Sequence, residues 1–375
     1  MIKSDREDML KKAERIIKEN IYTENKYPWS PYRMISPARG HFLGIWNWDS
    51  AFHAVGMIPY DIDIAKEQII GFLLFQRRNG ILPDVIFENG EIVDKYTKPP
   101  VMAHAARCVY MASHDKDFLE RIYPALVKNA EFWERERSYM GMFHYDADKS
   151  DGCGRDEYLK RVCFETGWDD SPRWDNEEPY GCWPVDLNCY MVMTYDALRY
   201  MAEELGSNGS VWRRKSEKLT ALIEEKLWDD ERVAYADYNF IRERYSSVIT
   251  PASFMPLYTE IASYEHALAM KNIAKRDFLP GMPTVAYNDP AYDDVYEHAY
   301  WRGPCWLNVA YFAAKGLKNY GFYREAEEIR DTILDWVSKD GEYIHENYNA
   351  TTGKGLCSDH FSWSCVFVRN FLENI

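Results

Sequence analysis

Apolar residues recur at three- and four-residue spacing through ten separate stretches of this chain: 7–21, 61–75, 101–112, 117–133, 185–202, 211–227, 264–273, 300–317, 323–337 and 361–372. That period lines one face of an α-helix, so each stretch predicts an amphipathic helix with a stripe to bury. Shorter helices are expected at 49–57 and 252–258, giving about a dozen in all. Asp61 precedes one of them and Ser207-Asn208 another as start signals, while Gly206 and Gly316 stand near expected ends. Strand-like alternation is confined to short pieces.

Short turns alternate with long aromatic-rich loops between these helices, a pattern that suits helical hairpins arranged in a ring. The expected fold is therefore all-α, an (α/α) toroid. No motif recurs at a fixed period, which weighs against a helical solenoid. No Pro/Ser-rich linker or low-complexity run divides the 375 residues, so one domain is expected.

The long loops share a composition. Trp46-Asn47-Trp48-Asp49 precedes one helix, 164–175 lies between helices, Trp301-Arg302-Gly303-Pro304-Cys305-Trp306 opens another, and His345-Glu346-Asn347-Tyr348-Asn349 precedes the last. In a ring of helices such loops can converge on one end and form a pocket. The segment 165–175, read as a loop, holds two tryptophans, an arginine and four acids around Gly167 and Pro172. Carboxylates move protons to glycosidic oxygens and indole faces cover the apolar faces of sugar rings, so the mixture points to carbohydrate chemistry.

Composition removes other classes. Sixty acidic against 45 basic residues give a formal charge of -15, opposite to what phosphate neutralisation needs, so nucleic acid is not expected as a partner. No run of about 18 apolar residues could span a bilayer, and the charged opening Met1-Ile2-Lys3-Ser4-Asp5-Arg6 is unlike a secretion signal. A cytoplasmic location follows as the expectation. The eight cysteines form no Cys-x-x-Cys pair and are read as reduced thiols. Asp146, Asp148, Ser150 and Glu157 mimic part of a calcium loop, but Gly152 falls one place late for the required turn. No metal or cofactor is expected.

Hydrolysing an acetal needs an acid to protonate the leaving oxygen and a carboxylate to activate water or attack carbon. Asp169, beside the water-excluding ring of Trp168, and Glu346, in surroundings polar enough to keep a base ionised, are the candidates. Residue types alone leave Glu165, Asp170, Asp175, Glu342 and Asp359 open as alternatives in the same segments.

Seven segments in order narrow the choice: 46–53 (WNWDSAFH), 76–83 (QRRNGILP), Lys98-Pro99-Pro100, Glu165-Thr166-Gly167-Trp168-Asp169, Val185-Asp186-Leu187-Asn188, 300–306 (YWRGPCW) and 345–349 (HENYN). Over roughly 30–370 the chain resembles glycoside hydrolase family 63, which includes processing α-glucosidase I and the mannosylglycerate and glucosylglycerate hydrolases and is related to trehalases. The resemblance implies an (α/α)6 barrel and inversion at the anomeric carbon. It makes Asp169 the general acid and Glu346 the general base, a pair held about 6.5–9.5 Å apart if inverting.

The same resemblance makes Asp49 a sugar-binding aspartate flanked by Trp46 and Trp48, and places Gln76, Lys98, Glu165, Trp168, Arg302 and Trp306 near the sugar. Arg33 and Arg39 are cations that a glycerate carboxylate could use. The expected activity is an inverting, exo-acting α-glycosidase on a small α-glucoside or α-mannoside. Trehalose hydrolysis and sugar binding without turnover are the alternatives.

Overall fold

A computed structural model describes residues 3–22, 30–295 and 299–375. Thirteen α-helices occur among them: α1 (Lys3–Glu19), α2 (Asn47–Met57), α3 (Ile62–Leu73), α4 (Met102–Ser113), α5 (Lys116–Glu136), α6 (Arg155–Thr166), α7 (Val185–Glu204), α8 (Ser210–Lys226), α9 (Met255–Tyr258), α10 (Tyr264–Ile273), α11 (Leu307–Asn319), α12 (Tyr323–Lys339) and α13 (Ser362–Asn374). The strands are two or three residues long.

The predicted start signals work as expected. Asp61 accepts hydrogen bonds from the Asp63 and Ile64 amides, and Asn208 accepts one from Ser210 at the head of α8. Two sequence expectations need correction. Helix α6 went unpredicted, and Glu165 and Thr166 belong to its last turn rather than to a loop. The stretch 300–306 is not helical; α11 begins only at Leu307.

The backbone divides into two compact units. The first contains Met1–Ile16, Trp168–Cys189 and Ile223–Ile375; the second contains Ile17–Gly167 and Tyr190–Leu222. In the first, α11 is buried over most of its circumference and packs on α9, α12 and α13. Small residues on α11 make this possible: a side chain at Gly316 would stand 2.8 Å from the Tyr258 nitrogen and 2.9 Å from the Leu257 Cβ. In the second, α2 packs on α3 and α4, and Gly44–Trp46 pairs antiparallel with Val85–Phe87 just before α2 begins.

Gly167 ends α6 with φ +74° and leaves room for the Trp48 ring, whose nearest atoms would lie 2.6–3.0 Å from an added Cβ. Replacing Gly167 with Ala combines a left-handed backbone penalty with a clash against a buried indole. A loss of about 2–4 kcal/mol is expected, read as a lowered urea midpoint at unchanged slope.

Candidate active site

In the first unit the segment after Trp168 is fixed by its own turn and by a buried arginine. The Ser171 amide donates to the Trp168 carbonyl at 3.1 Å, and Pro172–Trp174 forms one turn of 3-10 helix. This places Arg173 in the interior with its guanidinium 5.0 Å from the Trp168 ring centre and 4.7 Å from that of Trp174. Its nitrogens donate to both oxygens of Asp186 at 2.9 and 3.0 Å and to both of Asp237 at 2.8 and 2.9 Å. Asp169 is partly buried at the head of this braced segment.

Glu346 sits on a hairpin of the same unit. Its amide donates to the Ser358 carbonyl at 2.8 Å, its carbonyl accepts from the Ser364 hydroxyl at 3.2 Å, and Asn347–Tyr348 pairs with Gly355–Leu356. The carboxylate receives the Tyr300 hydroxyl on Oε1 and the Ser358 amide on Oε2. The expectation of polar surroundings needs correction here. Glu346 is only 2% exposed, and burial pushes its carboxyl up to about 7, against the opposing hydrogen bonds from Tyr300 and Ser358, with a smaller upward push from Asp169. Burial and then the charges of Glu346 and Asp169 hold the Tyr300 phenol well above its ordinary range, so it stays a donor.

Trp168 and Trp306, two of the four tryptophans expected near the sugar, join Trp301 and Trp363 in a buried stack. Trp168 and Trp301 have ring centres 4.9 Å apart, Trp301 and Trp306 lie parallel at 3.9 Å, and Trp363 meets Trp306 edge-on at 5.6 Å. All four are almost fully buried, so they offer no open ring face. Arg302, expected near the sugar, pairs with the Asp175 carboxylate and donates to the Asp170 carbonyl at 2.8 Å.

The second unit carries the remaining predicted residues. Asp49 is buried in the first turn of α2, Trp48 is buried beside it, and Trp46 keeps partial exposure with Phe42 and Phe87 against it edge-on. The polar companions of Asp49 have structural work: Asn47 donates to the Pro83 carbonyl and Thr97 hydroxyl, and Ser50 to the Trp46 carbonyl.

Three expected sugar contacts prove to be internal fasteners. Gln76 spends its amide nitrogen on the carbonyls of Gly80 and Ala125. Lys98 is buried, donates to the Phe164 carbonyl at 2.5 Å and pairs with Asp84 at 3.4 Å. Glu165 is fully buried and accepts from Arg137 and from the amides of Thr97 and Asp146. Arg33 is likewise committed to Glu67 and Asp61, while Arg39 is exposed and donates to the carbonyls of Glu19 and Ile21.

Tyr300 and the Arg173 pair were not singled out from sequence. Tyr300 lay inside a quoted segment, but nothing local marks its hydroxyl as a partner of a carboxylate 46 positions away. For α6, the readable signals were Asp156 and Glu157 in the first turn and Gly167 at the end.

Residues 43–364 match the model of the mannosylglycerate hydrolase MGH1-like glycoside hydrolase domain. The chain is 25% identical to mannosylglycerate hydrolase from Rubrobacter radiotolerans, across 86% of this chain and 89% of that protein. It is 24% identical to glucosylglycerate hydrolase from Mycolicibacterium hassiacum, across 88% and 91%. Its backbone is similar to that of the GH63 mannosylglycerate hydrolase from Thermus thermophilus, solved with Tris and D-glycerate, with a TM-score of 0.81 at 21% identity over 96% and 98% of the two chains.

The protein is thus a glycoside hydrolase whose fold class is the all-α (α/α)6 barrel. It belongs to the MGH1-like glycoside hydrolase family, within glycoside hydrolase family 63. Among the described residues no helix is long and apolar enough to cross a membrane, and no group of three or more His, Cys, Asp or Glu could hold a metal ion.

Proposed function

We propose that this chain hydrolyses a small α-glycoside of glycerate, exo-acting and with inversion at the anomeric carbon. Asp169 protonates the glycosidic oxygen as its bond to the anomeric carbon breaks. Glu346 takes a proton from the water that attacks the opposite face, and glycerate and a hexose of inverted configuration leave. The chain acts as one catalytic domain in this reading, because the matched family region runs through both compact units.

The observation that carries the reading is the state of Glu346. Both its oxygens accept hydrogen bonds, an arrangement that stabilises a carboxylate and suits a base, while burial lifts its titration to about 7, near working pH, where proton transfer is most effective. Asp169 stands in the same unit and is close enough to act on the Glu346 titration. Glycerate as the aglycone is supported by the relatives, which are mannosylglycerate and glucosylglycerate hydrolases aligned over most of the chain.

The test is to incubate the protein with α-mannosylglycerate and α-glucosylglycerate and follow the first product by proton NMR. Release of the β-hexose before mutarotation is the expected result. First release of the α-hexose would overturn inversion, and turnover of trehalose with neither glycerate glycoside attacked would move the reading to the trehalase alternative.

A further inference from the structure

Asp170 follows the acid in sequence and was one of the alternative catalysts, yet its carboxylate is occupied by backbone. Oδ1 accepts the Trp301 amide at 2.6 Å and Oδ2 the Tyr300 amide at 3.2 Å, while its carbonyl accepts from Arg302 at 2.8 Å. Tyr300 is gripped at its other end too, because its carbonyl accepts from the Trp306 indole at 2.8 Å and its ring meets that indole edge-on at 4.9 Å. Held at both ends, Tyr300 has one hydroxyl to place, and it reaches Glu346.

We propose that Asp170 is a positioning residue: by gripping the Tyr300 and Trp301 amides it delivers the Tyr300 hydroxyl to Glu346, tying the segment that carries the acid to the state of the base. The proposal rests on the reading of Glu346 as general base. Among the described residues, the groups facing Glu346 are the Tyr300 hydroxyl, the Ser358 amide, the Asp169 carboxyl and the Cys357 thiol. Burial first, and then Glu346, pushes Cys357 up to about 11, so it is neutral through the assay range. Of these groups, only Tyr300 and Ser358 stabilise the ionised base, and Asp170 controls the first.

The experiment measures kcat/KM from pH 5 to 9 for the wild type, Y300F, D170N and the double variant, with thermal unfolding of each. Losing the hydroxyl favours protonated Glu346, so the acidic limb should move to higher pH. A hydrogen bond to a charged group is large enough to move it by about one unit. Both single variants should therefore lose about ten times more activity at pH 6 than at pH 9, and the double variant should match Y300F, because Asp170 acts through Tyr300.

A D170N limb left in the wild-type place, or single-variant losses that add in the double variant, overturns the proposal. Should D170N fail to unfold cooperatively, Y300F carries the test together with D170E, which retains the carboxylate and should keep most of the wild-type profile; an unmoved limb in Y300F overturns the proposal. E346Q separates the two levels. If E346Q turns over like the wild type, the base assignment itself fails; if it is inactive while D170N leaves the limb unmoved, only the positioning role fails.

Discussion

Glu346→Gln and Asp169→Asn should each lower kcat on a glycerate glycoside by about a thousandfold or more, because in the proposed mechanism each removes one of the two proton transfers and such transfers contribute about 10²- to 10⁴-fold apiece. Their behaviour should separate on a glycosyl fluoride, whose leaving group departs without a proton. Asp169→Asn should recover much of its loss there, whereas Glu346→Gln, unable to activate water, should stay inactive. The opposite pattern would exchange the two roles. The pH profile follows from the proposed role: a general base at Glu346 acts only when ionised, and burial pushes this carboxyl up to about 7. Wild-type kcat/KM should therefore fall about tenfold per unit as pH drops below 7. A limb near the usual glutamate range, at about 4, would show that the buried carboxyl is not the group being read.

The helices were legible because their faces are one-sided: 323–337 and 264–273 announce α12 and α10 by spacing alone. Helix α6 escaped because only two of its strongly apolar positions, Tyr158 and Val162, are buried, and its inward polar residues Glu165 and Thr166 are invisible to a hydrophobic period. At the site, residue type was legible and environment was not. Glu346 looked polar from His345 and Asn347, but its burial is set by the packing of the folded chain, which sequence neighbours do not report. Gln76, Lys98 and Glu165 illustrate the same limit. A polar side chain beside a pocket motif serves equally well to satisfy backbone groups that the motif's loops leave open, and spacing does not distinguish the two uses.

Arg173→Met should destabilise the protein by about 3–5 kcal/mol, the usual cost of leaving buried charge without its partner. Arg173 and Asp186 are essentially unexposed, Asp237 is 5% exposed, and one guanidinium satisfies both carboxylates through four hydrogen bonds. Removing it leaves two like charges facing each other in a site that excludes water. Arg173→Lys should recover little, since a single ammonium lacks the planar fork that meets two carboxylates at once. The control is to neutralise the stranded acids: Asp186→Asn and Asp237→Asn, added to Arg173→Met, should restore part of the lost stability even though each weakens the wild type. Chemical denaturation of the set decides the matter. An Arg173→Met variant within about 1 kcal/mol of wild type, or losses that simply accumulate across the three sites, would mean that the pair braces nothing. The same variant links fold to chemistry, because Arg173 lies against the Trp168 ring four residues from the acid. A folded fraction that keeps its unfolding transition but loses kcat would locate the brace's purpose in holding Asp169.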